Sequence, residues 1–326
     1  MTIAFENTYA NLPKSFFTEQ SPTPVRKPST ILINEKLAEF FSISVDWIKS
    51  EKGLGMLSGN SLPKGSNPIA SIYAGHQFGS WNPQLGDGRA ILLGEVRGKD
   101  GLSYDIQLKG AGPTPYSRMG DGRSPLGPVL REHLVSEAMH ALGITSTRAL
   151  ASVETGESVI RETPLPGAIL TRVARSHVRI GTFQYFASVK DIKALDLLTN
   201  YVFERHYSSY PVRENKALAL LEAVMESQAK LVAQWQSIGF VHGVMNTDNV
   251  LVSGETIDFG PCAFIDNFKK NAVFSSIDHM GRYSYENQPS IAHWNIACFA
   301  QALLPLIAKD EGRALELAKE VIEVFP

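Results

Sequence analysis

The first half of the chain alternates apolar and polar residues with the two-residue period of β-strands. Arg89–Val96 and Ser103–Lys109 show this alternation on either side of Gly98–Gly101, a stretch typical of a β-hairpin connection. Ala149–Val153 and Ser158–Glu162 have the same character and predict two further strands. The pattern therefore predicts a strand-rich segment around a hairpin.

Most other apolar residues recur at helical spacing. Leu130, Leu134, Ala138 and Leu142 would share one face of a helix that ends before Gly143. In the second half, the pattern predicts helices at Lys216–Ile238, Ile291–Ala308 and Arg313–Phe325, and short strands at Val250–Val252 and Thr256–Asp258. The change from strands to mostly helix near residue 190 indicates an α+β fold.

Composition places the chain among ordinary soluble globular proteins. Hydrophobic residues make up 44%, charged residues 20%, and the formal charge is −2, which argues against a nucleic-acid binder. The two cysteines, Cys262 and Cys298, cannot form a disulfide framework, so a reducing compartment is expected. No signal-like N-terminus and no stretch of membrane-spanning length is evident. A cytoplasmic protein without membrane contact is predicted.

Twelve of the 26 glycines lie between Gly75 and Gly127. Gly86-Asp-Gly88-Arg89 opens a strand, and Asp121-Gly122-Arg123 forms a second turn. Glycine lets a phosphate approach main-chain N–H groups closely, so both turns could bind a nucleotide. Ordinary hairpin turns would have the same composition, and each turn alone leaves both interpretations open.

Charged residues near these turns could contact phosphate oxygens. Lys109 ends a predicted strand, and Glu137, on the following helix, would be its ion-pair partner; the alternative is two solvated surface charges. Four arginines follow within nineteen residues that contain one acid, Glu162. They suit bidentate phosphate recognition, although a basic solvated face is the alternative. The four are Arg161, Arg172, Arg175 and Arg179. If the segment were helical, the last three would share one face of the helix.

The richest pattern is a loop beginning at His242, with Asp248 and Asn249, followed by Asp258-Phe-Gly. Carboxylate and amide oxygens at such positions suit a hard divalent cation on a polyphosphate. A protein kinase has His-Arg-Asp, four residues, Asn, and then Asp-Phe-Gly. His242 and Asn249 keep this separation, but Val244 occupies the place of the catalytic Asp and cannot accept a proton. The loop predicts a nucleotide–metal site that lacks the usual base for phosphate transfer, with His242 as a brace.

Taken together, these residues resemble the selenoprotein O family, most closely its enterobacterial form. The resemblance runs from about Tyr73 to Phe264. It rests on long and idiosyncratic strings: Tyr73-Ala-Gly-His-Gln-Phe-Gly79, Gln84-Leu-Gly-Asp-Gly-Arg-Ala90, Gln107-Leu-Lys-Gly-Ala-Gly-Pro-Thr-Pro-Tyr-Ser-Arg118, Ser136-Glu-Ala-Met139, Ser176-His-Val-Arg179 and Met245-Asn-Thr-Asp-Asn249.

The resemblance implies a protein-kinase-like two-lobe fold and protein adenylyltransferase activity. Residues 1–72 would be an N-terminal extension, 73–188 a strand-rich N-lobe with the glycine-rich nucleotide loops, and 189–326 a helical C-lobe with the catalytic and metal loop. ATP would lie inverted relative to a kinase, so that AMP passes to Ser, Thr or Tyr hydroxyls of proteins, including this one, and pyrophosphate leaves.

The resemblance also assigns roles to individual residues. Asp248 would accept the hydroxyl proton, while Asn249 and Asp258 would bind Mg²⁺ or Mn²⁺. Nucleotide contacts would come from Gly86, Gly88, Arg89, Lys109, Asp121, Gly122, Arg172, Arg179 and Asp258. Glu137 would orient Lys109, and Arg172 and Arg179 would hold the outer phosphates.

Two other functions remain open from the sequence. Asp248 could rescue γ-phosphate transfer in a true kinase, or the chain could be an inactive nucleotide-binding regulator. Family chains also continue well beyond residue 326 and carry a redox-active selenocysteine or cysteine near their C-terminus. The chain stops at Pro326 directly after an apolar helical pattern, so a truncated protein is expected.

Overall fold

The structure is a computed structural model that describes residues 3–325. The first two residues of the predicted N-terminal extension, Met1 and Thr2, and the last residue of the predicted C-lobe, Pro326, lie outside the described residues. The chain forms two compact units. Unit 1 consists of Met1–Ile72, Leu85–Leu142 and Thr147–Ser176, and unit 2 of Tyr73–Gln84, Gly143–Ser146 and His177–Pro326.

Within the described residues, nine strands join one sheet in the order β1-β3-β5-β6-β9-β8-β2, with β4 paired to β3 and β7 to β9. The strands are β1 (Phe17–Glu19), β2 (Ser29–Ile33), β3 (Ile69–Gln77), β4 (Ser80–Gly86), β5 (Ala90–Arg97), β6 (Ser103–Lys109), β7 (Ser124–Pro125), β8 (Arg148–Ile160) and β9 (Pro164–Ala174). The predicted hairpin is confirmed as β5 and β6, which pair antiparallel from Ala90–Lys109 to Arg97–Ser103. The two strands predicted after residue 148 are a single strand, β8, whose register shifts between Glu154 and Ser158.

Unit 1 contains the helices α1 (Glu35–Phe40), α2 (Val45–Lys49), α3 (Glu51–Ser58) and α4 (Leu126–Ala141). Apolar residues of α1–α3 pack on the sheet in one core that includes Leu37, Ile48, Met56, Leu57, Leu93 and Ile106. The predicted helix α4 is confirmed, and Gly143 follows it with φ +77°. Its predicted apolar face is wrong. Leu134 is 63% exposed, whereas Val129, Glu132, His133, Ser136 and Met139 are buried.

Unit 2 contains the helices α5 (Ile180–Ser188), α6 (Ile192–His206), α7 (Lys216–Ser237), α8 (Gln288–Ile307) and α9 (Glu311–Ile322), and the short pair β10 (Phe240–Val241) and β11 (Ala263–Phe264). The three helices predicted in the second half are thus confirmed. The predicted strands at 250–252 and 256–258 are not strands. Leu251 and Thr256 each form only an isolated bridge, because a turn at Ser253–Gly254 separates them.

The α+β class, with a strand-rich region followed by a helical one, is confirmed. The compact units nevertheless divide the chain differently from the predicted boundaries. The predicted extension before residue 73 belongs to unit 1, because β2 pairs with β8 and α1–α3 cover the sheet. The C-terminal part of unit 2 begins at His177, not at residue 189, because α5 packs on α6 and α8.

One helical stretch among the described residues, Tyr285–Ile307, is long and apolar enough by length and composition to cross a membrane. The sequence expectation that no such stretch exists is wrong by this measure. Half of its most apolar window is buried inside the protein, where α8 packs on α5, α7 and α9. A single such helix is weak evidence for a membrane span, because core helices of soluble proteins meet the same criterion.

Candidate active site

The loop that carries the predicted catalytic and metal residues is held by the second half of β3. The backbone N–H of His76 donates to Thr247 Oγ1 at 2.8 Å, and that of Phe78 donates to Asn246 Oδ1 at 3.0 Å. The Tyr283 hydroxyl donates to the same Asn246 oxygen at 2.6 Å. These bonds fix the 3₁₀ turn Thr247–Asn249 before any ligand binds.

Asp248 has one carboxylate oxygen anchored and the other unsatisfied. Gln77 Nε2 donates to Asp248 Oδ2 at 3.1 Å, whereas Oδ1 is buried and has no hydrogen-bond partner within residues 3–325. The side chain packs tightly over Gly75, where a Cβ atom would stand 2.6 Å from Oδ1. Burial raises the pKa of Asp248, and the nearby charge of Asp258 adds to this, against the hydrogen bond from Gln77 and the Arg179 charge. A buried, unpaired carboxylate oxygen is suited to accept a proton.

His242 braces the two halves of the loop, as predicted. Its Nδ1 accepts from the Val244 N–H at 3.3 Å, so Nε2, 2.7 Å from the Ile257 carbonyl oxygen, must carry the proton. The ring is buried and stacks on Trp235. Burial lowers the pKa of His242, which keeps the imidazole neutral and fixes the residue before Asp258.

Asn249 and Asp258 carry the side-chain oxygen atoms predicted to bind a cation. Asn249 uses Nδ2 to donate to the Val244 carbonyl at 3.0 Å, which leaves its Oδ1 free of hydrogen bonds within the described chain. Asp258 adopts the left-handed conformation, with φ +63°, and its side chain is 23% exposed. Backbone outliers of this kind cluster at functional sites, where the surrounding structure holds them in place.

Arg179 lies beside both acids. As the residue preceding α5, it donates from Nη1 to the Asp248 carbonyl oxygen at 2.6 Å, and the same atom is 3.7 Å from Asp258 Oδ2. Its guanidinium also lies 4.5 Å from the centroid of the Tyr73 ring. A buried arginine thus places a fixed positive charge next to the pair of carboxylates.

In unit 1, Lys109 and Arg172 share one buried carboxylate. Lys109 Nζ lies 2.6 Å from Glu132 Oε2, and Arg172 Nη1 lies 3.0 Å from Glu132 Oε1. Arg172 also donates to Gln107 Oε1 from Nη2 at 2.7 Å, and Gln107 in turn donates to Asp87 at 3.3 Å. Glu132 thus holds a lysine and an arginine, two side chains that can bind phosphate, next to each other.

The predicted ion pair between Lys109 and Glu137 is wrong. Glu137 accepts from Arg148 Nε at 2.8 Å and Nη2 at 2.7 Å, and from the Ala149 N–H at 2.9 Å. Glu132 and Glu137 are five residues apart on α4, about 140° around the helix, so they cannot face the same partner. The error follows from the wrongly assigned apolar face of α4, because Glu132 and His133 are on the buried side.

The two glycine turns also lie in unit 1. A side chain at Gly86 or Gly88 would collide with Tyr116, so the first turn keeps its backbone close to that residue. Arg89 is exposed and makes no ion pair with any residue from 3 to 325. At the second turn, Gly122 has φ +66° and packs on Gly112.

Asp121 is already bound to an arginine. Arg161 Nη1 lies 2.8 Å from Asp121 Oδ2, and Nη2 lies 3.1 Å from Oδ1. The hydrogen bonds from Arg161 are the main cause that lowers the pKa of Asp121. A nucleotide that contacts this exposed carboxylate therefore has to share it with Arg161.

The arginine cluster is not helical, and its members belong to both units. Arg172 is on β9 in unit 1, and Arg179 precedes α5 in unit 2. The reason is the apolar run Ala168–Leu170, which continues through Val173 and Ala174 and is buried as an inner strand between β6 and β8. Arg175 stacks on Tyr104 of unit 1 at 5.7 Å.

Sequence reasoning missed Gln77, Asn246 and Glu132. The string Tyr73–Gly79 contributes to the sequence analysis only through the family resemblance, although its two glycines are a signal of close backbone packing. Glu132 had no such signal, because its importance depends on which face of α4 is buried.

A model of the family described as "Protein adenylyltransferase SelO" matches residues 1–322. The protein nucleotidyltransferase YdiU of Rhizobium etli is 58% identical over 322 residues, which are 99% of this chain and 64% of that protein. The protein of the same name from Anoxybacillus flavithermus is 56% identical over 99% of this chain and 67% of its own length. The chain therefore spans about 64% of the length of the first of these relatives.

Among solved structures, ROP2 from Toxoplasma gondii, a virulence factor with a protein-kinase fold and no enzymatic activity, matches with a TM-score of 0.35 and 11% identity. The match covers 74% of this chain and 65% of that one. At this TM-score the likeness adds nothing to the fold class, which rests on the elements described above. With a family model matching nearly its whole length and relatives more than half identical to it, the chain belongs to the SelO family.

Proposed function

We propose that this chain carries the catalytic residues of a protein adenylyltransferase. It would transfer AMP from ATP to the hydroxyl of a Ser, Thr or Tyr side chain and release pyrophosphate. The description of the matched family, a protein adenylyltransferase, supports this activity. The expected setting is the cytoplasm, where ATP is available and where a chain with two buried cysteines meets a reducing environment.

The observation that carries this proposal is the state of Asp248. One oxygen is held by Gln77, the other is buried and unpaired, and the pKa of the carboxyl is raised. Val244 stands at the place of the kinase base. Its backbone N–H donates to His242, and its backbone carbonyl accepts from Asn249. Asp248 is thus the acid of this loop that can take a proton from an acceptor hydroxyl.

The chemistry of the donor set fits a Mg²⁺ or Mn²⁺ ion held by Asn249 and Asp258. Both offer oxygen, the donor that these cations prefer. No group of three or more His, Cys, Asp or Glu side chains that could hold a metal occurs among residues 3–325, which agrees with a cation completed by water and phosphate oxygens. When bound, such an ion supplies charge that stabilises the polyphosphate.

The chain's own cations provide the rest of the phosphate charge. In unit 1, Glu132 fixes Lys109 and Arg172 in place, so both act as preorganised donors rather than flexible surface charges. In unit 2, Arg179 is held by the Asp248 carbonyl and by Asp258. We assign the outer phosphates to the two arginines, as the family resemblance implies.

In the proposed reaction, Asp248 Oδ1 takes the proton of the acceptor hydroxyl as that oxygen bonds to the α-phosphorus. The bond between the α-phosphorus and the bridging oxygen breaks, and pyrophosphate leaves with the electron pair. The product is a phosphodiester between AMP and the acceptor side chain, and the proton on Asp248 returns to solvent.

The test compares ATP labelled at the α-phosphate with ATP labelled at the γ-phosphate, using this chain and a cell lysate with Mg²⁺ and then Mn²⁺. Protein label from the α position only, and a mass gain of one adenylyl group, is the expected result. Asp248→Asn should abolish labelling, whereas Asp266→Asn, at an exposed position, should not. Label from the γ position only would identify a kinase instead. ATP binding without any labelling would identify an inactive regulator.

A further inference from the structure

The Arg282 guanidinium has no acidic ion-pair partner in the part of the chain that the structure describes. No carboxylate within residues 3–325 forms an ion pair with it, although the residue is only partly exposed and its Nε is buried without a hydrogen-bond partner. Its guanidinium carbon lies 4.7 Å from the centroid of the Trp294 ring and 5.7 Å from that of Tyr283. A cation that rests on aromatic rings but lacks an anion has its charge available for a ligand.

The backbone that carries Arg282 is held in place. The side chain of Asp278 accepts from the Arg282 N–H at 2.9 Å through Oδ1, and from the Tyr283 N–H at 2.8 Å through Oδ2. Asp278 therefore holds the main chain at Arg282 and Tyr283, and it forms no ion pair with the guanidinium. The site is therefore preorganised for an anion before one arrives.

Arg282 is also close to the loop of Asp248. Its neighbour Tyr283 donates to Asn246, which precedes the turn Thr247–Asn249. Phe78 donates its N–H to the same asparagine and packs edge-on against Tyr283 at 5.1 Å. Guanidinium atoms of Arg282 lie 3.6 Å from where a Cβ at Gly79 would stand, so the arginine adjoins the segment that fixes the loop.

We propose that Arg282 binds a carboxylate side chain of the protein substrate, an Asp or Glu within a few residues of the acceptor hydroxyl. This inference rests on the proposed function. An extended peptide advances about 3.3 Å per residue, so a short separation is enough to place the acid at Arg282 and the hydroxyl at Asp248. The recognised class is thus an acidic segment around a Ser, Thr or Tyr.

The surroundings favour a peptide over the nucleotide's phosphates as the source of the anion. The segment between β11 and α8 exposes large apolar side chains, with Met280 92%, Phe268 72% and Ile277 64% exposed. Exposed apolar side chains in the same segment as this arginine are typical of protein-recognition surfaces, whereas phosphates gain nothing from them.

The test uses synthetic peptides with one acceptor hydroxyl and a single Glu, Gln or Lys placed in turn at each of four positions on either side. With α-labelled ATP, wild-type protein should favour Glu over Gln at one position by about fivefold in KM. Arg282→Gln should remove the preference, and Arg282→Glu should favour Lys at that same position. The control Arg313→Gln, at an exposed arginine paired with Glu316, should behave as wild type.

An acidic preference that survives in both Arg282 variants would overturn the inference, as would its absence in wild type. A rise in KM for ATP rather than for peptide would assign Arg282 to the phosphates and also overturn it. If wild type labels no peptide at all, the proposed function fails separately. Fluorescence anisotropy of the Glu and Lys peptides without ATP then decides whether Arg282 still selects the acid.

Discussion

Gln77 Nε2 and Asp248 Oδ2 form a 3.1 Å hydrogen bond between residues 171 positions apart in the chain. Gln77 Oε1 in turn accepts from Asn82 Nδ2 at 3.3 Å, which sets the orientation of the amide. The bond holds one oxygen of the carboxylate. It thereby fixes the orientation of the other oxygen, the unpaired Oδ1, which is the proposed proton acceptor. Gln77 is therefore a positioning residue for the proposed base.

Gln77→Ala should lower kcat for AMP transfer about tenfold or more with little change in KM for ATP. A hydrogen bond to a charged group contributes roughly 1.5–3 kcal/mol, and each 1.4 kcal/mol changes a rate tenfold. Steady-state kinetics would measure the separation of kcat from KM, with exposed Gln301→Ala as the matched control. Equal losses in both variants, or a loss confined to KM, would contradict the positioning role.

Glu132→Gln should both destabilise the protein and cripple transfer, because Lys109 and Arg172 would lose their shared buried carboxylate. Removing one partner of a buried ion pair typically costs about 3–5 kcal/mol. Denaturant unfolding and transfer of α-labelled AMP would measure the two effects.

Glu137→Gln, five residues away, is the matched variant. It should weaken the link of α4 to Arg148 while leaving transfer within about twofold of wild type once folded protein is compared, roughly 0.4 kcal/mol of barrier. If the Glu137 variant lost transfer and the Glu132 variant kept it, the predicted pair with Lys109 would be right after all.

Asp258→Ala should abolish metal-dependent nucleotide affinity, because the cation would lose its carboxylate ligand. Calorimetric titration with ATP in the presence of Mg²⁺ or Mn²⁺, and again with a chelator, measures this directly. Asp266→Ala removes an exposed carboxylate eight residues later and should leave the affinity unchanged. Unaltered affinity in the Asp258 variant would remove the metal assignment.

The free energy of unfolding should fall as the pH drops below about 6.5, the ordinary pKa of histidine. Burial lowers the pKa of His242 in the folded state, so in the window between the two values the unfolded chain binds a proton that the folded chain resists. The contribution is present above the unfolded pKa and is lost as the pH falls to the folded one.

Replacing the imidazole should reduce this pH dependence. His242→Gln should lose less stability than wild type between about pH 8 and about pH 5.5, and exposed His279→Gln should match wild type. Burial also lowers the pKa of His76, His133 and His140, so a residual slope is expected. If the free energy of unfolding depended on pH equally in His242→Gln and in wild type, the wild-type His242 ring would not be held neutral in the folded protein.

Short-range features of the fold follow from the pattern of residues. The β5–β6 hairpin and α7 are such features, and their period and spacing predict them without knowledge of the fold. The proposal of Asp248 rather than Val244 as the base also needs no fold, because a valine side chain cannot accept a proton.

Contacts across the fold were decided by packing. The buried face of α4 depends on how the helix lies on the sheet, and this selects Glu132 over Glu137. Arg172 and Arg179 are seven residues apart but belong to different elements. The apolar run before Arg172 is buried as strand β9, whereas the segment after Arg179 is helix α5. Nor does any spacing join Gln77 to Asp248: that hydrogen bond exists only because β3 passes over the loop, and local propensity carries no information on which distant segments meet.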